Sequence, residues 1–138
     1  MAVFSEQLKL KTKGHTDIID ITDPVRSKLR SLNIKDGIVV ISVVGSTAAL
    51  TTVEFEPGLV QDLKDLFNKI IPAGQYHHDE AWHDGNGHSH LRASLIGPSV
   101  TIPFSGQKLT LGTWQQIILV DFDNRPRQRK IILQFVGE

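Results

Sequence analysis

The 138-residue chain predicts a single α+β domain, residues 1–138, with a mixed, largely antiparallel sheet and two or three helices. Three observations carry that expectation. The length suits one domain with its own core. Short runs rich in Val, Ile and Phe, several joined by hairpin-length turns, fill the beginning and end of the chain. Between them, two or three segments carry apolar residues at helical spacing, and strands interspersed with few helices read as α+β.

Taken in order, Phe4 to Leu10 alternates Leu8 and Leu10 with lysines, and Asp17 to Thr22 alternates Ile19 and Ile21 with polar residues. Gly14-His15 between them predicts a hairpin. Asp23-Pro24 reads as a cap followed by proline, opening a helix to about Asn33 on Val25, Leu29 and Leu32. Ile38 to Val44 is a nearly continuous β-branched run, expected of a strand buried on both faces. Ala48 to Glu56 predicts another strand. Pro57-Gly58 opens a second helix with a broad stripe from Leu59 to Ile71, stopped by Pro72. Ala73 to Gly87 is polar and reads as a loop. His88 to Ile96 fits a helix capped near Asn86 and ended by Gly97-Pro98, or a strand with His88 and His90 on one side; the helix is the favoured reading. Val100 to Phe104, Leu109 to Phe122 and Lys130 to Val136 are expected strands.

Composition excludes several function classes. The 15 basic and 15 acidic residues balance, which argues against a nucleic-acid or membrane-surface binder. The absence of cysteine removes disulfides, thiolate nucleophiles and Cys-based zinc sites. No apolar run reaches the roughly 18 residues of a bilayer span. Met1 to Glu6 lacks the regions of a signal peptide, so the expected compartment is the cytoplasm. There is no glycine-rich nucleotide fingerprint and no Gly-x-Ser-x-Gly elbow.

What remains is a histidine segment. Five of the six histidines, His77, His78, His83, His88 and His90, fall within fourteen residues, among Asp79, Glu80, Asp84 and Asn86. Imidazole and carboxylate suit a borderline divalent ion, and the same groups suit acid–base work near neutral pH. A solvated loop is the plain alternative. Leu111-Gly112-Thr113-Trp114-Gln115-Gln116 interrupts an apolar run with polar groups that either satisfy a core network or line a site. Glu54 ends a strand before a helix, as a catalytic carboxylate or a solvent-facing residue. Arg125, Arg127, Arg129 and Lys130 place four cations within six residues, suited to phosphate or to solubilising a hairpin.

The stretch Gly85-Asn86-Gly87-His88-Ser89-His90-Leu91-Arg92-Ala93-Ser94-Leu95-Ile96-Gly97-Pro98, followed by Leu109-Thr110-Leu111-Gly112-Thr113-Trp114-Gln115-Gln116, resembles the YjbQ-like family, also called the secondary thiamine-phosphate synthase family. The resemblance spans nearly the whole chain, including Ser46 to Glu54, Tyr76-His77-His78, and Asp121-Phe122-Asp123 to the end. It implies an α+β fold that assembles as a homotrimer and a site near a subunit boundary. It also implies transfer of a pyrimidine diphosphate onto a thiazole phosphate with release of pyrophosphate. The alternative is a non-catalytic trimer that binds a metal or small phosphorylated metabolite. Carried over, the catalytic candidates are Glu54, His78, Asn86 and His90, and the substrate-binding candidates are Thr47, Thr113, Trp114, Gln115 and Arg129. Metal candidates, for zinc or magnesium, are His78, His90 and, by spacing, His88, where relatives often carry other residues. Many relatives also have a histidine ahead of the Thr-Ala-Ala-Leu segment, where this chain has Gly45-Ser46.

Overall fold

The computed structural model describes residues 1–138. Strand β1 (Ala2–Thr12) turns Phe4, Leu8 and Leu10 toward the core and pairs antiparallel with the last strand, β8 (Arg127–Gly137), from Ala2 opposite Gly137 to Thr12 opposite Arg127. The expected hairpin does not form: β2 (Asp17–Asp20) pairs instead with β7 (Gln116–Asp121). Between β1 and β2 the backbone of Gly14, His15 and Thr16 takes φ of 77°, 54° and 61°, which sends the chain into a second sheet. Pairing β1 with β8 also covers Ile131, Leu133 and Phe135, all fully buried, which a four-residue strand is too short to do.

Helix α1 (Thr22–Arg30) buries Val25 and Leu29. It starts before Asp23, because Asp20 serves its first turn, accepting from Thr22 N–H at 2.9 Å and Thr22 Oγ1–H at 2.6 Å. Strand β3 (Gly37–Val43) buries Val39, Ile41 and Val43 but leaves Ile38 41% exposed, so its outer face is not covered. Strand β4 (Ala48–Val53) ends before Glu54. Helix α2 (Pro57–Ile70) follows, capped by the Glu56 carboxylate, which accepts from Gly58 and Leu59 N–H at 2.8 and 2.7 Å. The segment expected to be a loop holds a six-residue helix, α3 (His77–Trp82), with no fully buried residue. Helix α4 (Gly87–Ile96) matches the expected helix and ends at Gly97, φ 99°. Strands β5 (Ser99–Ser105) and β6 (Lys108–Leu109) form a hairpin, and residues 110–115 are a loop rather than strand.

All six strand pairings are antiparallel, so the sheet is not mixed, and α3 raises the helix number to four. The strands form a five-stranded sheet, β1-β8-β3-β5-β6, and a three-stranded sheet, β2-β7-β4. One apolar cluster packs the two sheets and α1 together, and a second, around Phe67, Ala93 and Phe122, packs α2 and α4 on the far face of the small sheet. The strand buried on both faces is therefore β7, with Ile117 to Val120 at most 1% exposed, because it lies between two apolar layers.

Candidate functional site

The site begins where β7 runs out. Asp121 and Asp123 are fully buried polar residues flanking Phe122, and a buried carboxylate needs charge and hydrogen bonds around it. Arg129 supplies a two-pronged pair to Asp121, through Nε at 2.7 Å and Nη2 at 2.9 Å, and Nη2 also donates to Thr47 Oγ1 at 2.7 Å. Thr12 Oγ1 donates to Asp121 Oδ2 at 2.6 Å. Burial would raise the Asp121 carboxyl, and these donors hold it below its usual range. Asp123 receives Arg127 Nε at 2.6 Å, Asn124 N–H at 2.8 Å, and Asn86 Nδ2 and Thr47 Oγ1 each at 3.2 Å. Its burial is likewise outweighed, and its pKa falls to about 2. Both aspartates are thus anions at neutral pH. Arg129, read from sequence as a phosphate fork, has its Nε–Nη2 edge committed to Asp121.

Asn86 links this ion network to the histidine segment. The loop Gly85-Asn86 enters α4 with Asp79 Oδ1 accepting the Gly87 N–H at 2.9 Å, while Asp79 Oδ2 accepts from Tyr76 N–H at 3.2 Å. These contacts, the Gly87 N–H foremost, lower the Asp79 pKa. They also bring α3 against the first turn of α4. The His78 and His90 rings lie side by side, centroids 4.5 Å apart. His78 Nδ1 is 3.5 Å from Asp84 Oδ1 and 3.9 Å from Asp79 Oδ1, and the three residues offer ligand atoms all within 4.8 Å of one another. A tetrahedral ion about 2.1 Å from each donor spaces its donors about 3.4 Å apart; the His78–Asp84 pair has that spacing, and Asp79 lies farther out. His88 and His90 are not in that set. His88 is buried, and burial and then Arg92 push its imidazole below the usual range, leaving it neutral at neutral pH.

Every buried side-chain polar atom without a hydrogen-bond partner lies here: His78 Nδ1, Asn86 Oδ1, His88 Nδ1 and Ser89 Oγ. Buried polar atoms are normally satisfied, so a concentration of exceptions marks a place built for a water, ion or ligand. Asp79 and Asp84 were visible from sequence only as companions of the histidines, whereas Asp121 and Asp123 have a clearer signal, two acids interrupting an otherwise apolar stretch.

The remaining candidates lie elsewhere in the chain. Thr47 stands at one end of β4 and Glu54 just beyond the other, about 23 Å apart at the rise of an extended strand. Glu54 shares a cleft of about 470 Å³ with Arg26, Phe55, Thr113 and Trp114, whose indole is 74% exposed. Gln115 folds its side chain back, donating from Nε2 to Thr52 Oγ1 at 3.2 Å and accepting the Gly112 N–H at 3.0 Å through Oε1. One chain therefore brings His78, His88, His90, Asn86, Thr47 and Arg129 toward one end of β4 and Glu54, Thr113 and Trp114 to the other.

Residues 6–138 match the family model described as UPF0047 protein YjbQ-like. A UPF0047 protein of Archaeoglobus fulgidus is 41% identical over 129 residues, covering 93% of this chain and 98% of that one. A UPF0047 protein of Methanothermobacter thermautotrophicus is 35% identical over 139 residues, covering 100% and 95%. Among solved structures, a YbjQ-like protein of unknown function from Sulfolobus solfataricus superimposes with a TM-score of 0.93 at 32% identity, covering 99% of both chains. A hypothetical protein from Aeropyrum pernix gives 0.90 at 33% identity, covering 98% of this chain and 99% of that one.

Proposed function

The chain belongs to the UPF0047 family of YjbQ-like proteins, and from that premise we propose that it is a metal-assisted transferase acting on small phosphorylated substrates. The reaction is of the thiamine-phosphate synthase kind. A bond forms between a thiazole nitrogen and a pyrimidine methylene carbon as the bond from that carbon to a diphosphate oxygen breaks, and pyrophosphate leaves. The observation that supports a ligand-handling centre is the set of four unpartnered buried polar atoms in residues 78–89. The neighbouring carboxylates of Asp79 and Asp84 support a cation there.

His78, Asp79 and Asp84 would hold a divalent ion, zinc or magnesium, with the His90 ring beside that of His78. Bound there, the ion supplies positive charge for a departing pyrophosphate. The chain's own groups do the rest. Asp123 fixes the Asn86 amide by accepting from Nδ2, leaving Oδ1 free to accept a hydrogen bond from the ligand. The Asp121–Arg129 pair holds Thr47 and β8 in place. Glu54, Thr113 and Trp114 would meet this centre across a boundary between subunits, in a homotrimer. The second reading is a trimer that binds metal or a phosphorylated metabolite without turnover, favoured by the separation of the two residue groups within one chain.

The test is metal analysis of chelator-free protein together with turnover. We expect about one zinc or similar ion per chain, lost in His78→Ala along with product formation. Metal-free protein that still turns over removes the ion from the mechanism. Metal-bound protein without turnover on these substrates establishes the second reading.

A further inference from the structure

Beside the site, Gly14, His15 and Thr16 follow one another at φ of 77°, 54° and 61°. Glycine occupies this left-handed region freely, but histidine does so seldom and a β-branched threonine rarely. Three contacts hold the turn in this conformation. The His15 N–H donates to the Asp123 carbonyl at 2.6 Å. Thr16, 4% exposed, accepts from Arg92 Nη1 at 3.1 Å through Oγ1. Gly14 lies so close to the facing turn that a Cβ there would sit 2.6 Å from the Arg125 carbonyl oxygen and 2.7 Å from that of Asp123.

The clamps belong to the site. Asp123 is the residue whose carboxylate receives the Asn86 amide. Arg92 stands one turn beyond His88 on α4, itself anchored to the Ile71 carbonyl at 2.9 Å and Asn68 Oδ1 at 3.2 Å. The side chain the turn leaves exposed is the His15 imidazole. The His15 backbone is tied to Asp123, whose neighbour Asn124 donates from Nδ2 to the Asp84 carbonyl at 2.7 Å, so the turn adjoins the histidine segment. A connecting turn with no task other than reversal would take Asn or Gly at these positions.

We propose that the Gly14–Thr16 turn is built to hold the His15 imidazole at the mouth of the histidine site, where it donates a hydrogen bond to a phosphoryl oxygen of the bound ligand. The ligand class rests on the proposed function; the placement of His15 does not. Strain stored at a position over-determined by its neighbours is the usual mark of a working residue.

Glycine at position 15 removes the imidazole while suiting the backbone, so His15→Gly separates the side chain's role from its conformation. Inorganic pyrophosphate binding to the intact, metal-loaded protein is the readout, by calorimetry. We expect affinity about tenfold weaker in His15→Gly, with the melting temperature equal to or above wild type and metal content unchanged. Equal affinity in the two proteins overturns the role of His15 and leaves the proposed function standing. Weaker binding with a lowered melting temperature also overturns it, since His15 would then be structural. A wild-type protein that ignores pyrophosphate overturns the proposed function, and the ligand given to His15 with it.

Discussion

Asp123 is the residue on which most of the site's contacts converge, and its chemistry makes a stability prediction. Its folded-state pKa is about 2 against an ordinary 3.8. A carboxyl with a depressed folded pKa contributes stability above its unfolded pKa and loses that contribution as pH falls through the folded one. Between about pH 5 and pH 2 the protein should therefore lose about 2 kcal/mol from this group. Urea titrations at several pH values would read the loss, and in Asp123→Asn the profile should be flatter. Superimposable profiles would mean that the carboxyl is not held down. Gly45 stands at the position where the family resemblance implies a histidine in many relatives. At φ 129° its Cβ would sit 2.8 Å from Arg129 Nη1, so the guanidinium occupies the space a side chain would need.

At the scale of elements, the junction of β3 and β8 is decided by two glycines. Gly37 stands opposite Gly137 in register, and a Cβ on Gly37 would lie 2.8 Å from the Gly137 Cα. Gly37→Ala should cost about 1–3 kcal/mol through overpacking against backbone. Gly74→Ala, with no atom within 4 Å of the added carbon, should be nearly neutral. Equal stabilities in a urea comparison would contradict the packing argument. The helices were legible because each carries its own period and caps: the α2 stripe follows Pro57, and α4 ends at Gly97. Helix α3 was not legible, since six residues with no buried face leave no apolar period to read. The run from Leu109 to Phe122 reads as one strand because local propensity is high throughout. The loop at Gly112 to Gln115 is set by tertiary bonds such as Gln115 to Thr52.

For the whole molecule, the outer face of the five-stranded sheet is the largest consequence of the topology. Val3, Val136, Ile38 and Pro103 form one cross-strand row. On one side follow a row of Ser5, Gln134, Val40 and Thr101 and a row of Gln7, Ile132, Ser42 and Ser99 before Lys9 faces Lys130, and on the other side stand the exposed Asp36 and Glu138. Val3 is 60% exposed and Ile38 41%. An exposed apolar row bordered by uncharged polar residues suits contact between copies, which supports the proposed trimer. Val3→Glu places a charge in that row at little cost to the single subunit. On the proposed trimer and shared site, we expect the mass in solution to fall to that of a monomer, with the metal retained and turnover reduced at least about 100-fold, because Glu54 and Trp114 would then be kept from the histidines. A fully active monomer would sink the shared site, and a trimer that survives the charge would place the contact elsewhere.

What the sequence determined alone was whatever depends on near neighbours. The amphipathic periods of α1, α2 and α4, the apolar runs of the long strands, and the grouping of histidines with Asp79 and Asp84 all follow from residues a few positions apart. The segments that carry the family likeness are equally local. Tertiary structure alone decided which strands pair, that β1 joins the far end of the chain rather than β2, and that β7 rather than β3 is buried on both faces. It also committed Arg129 to Asp121 and set Glu54 apart from the histidines. Each of these depends on competition among distant surfaces for burial and among buried charges for partners, and neither contest can be read from local pattern.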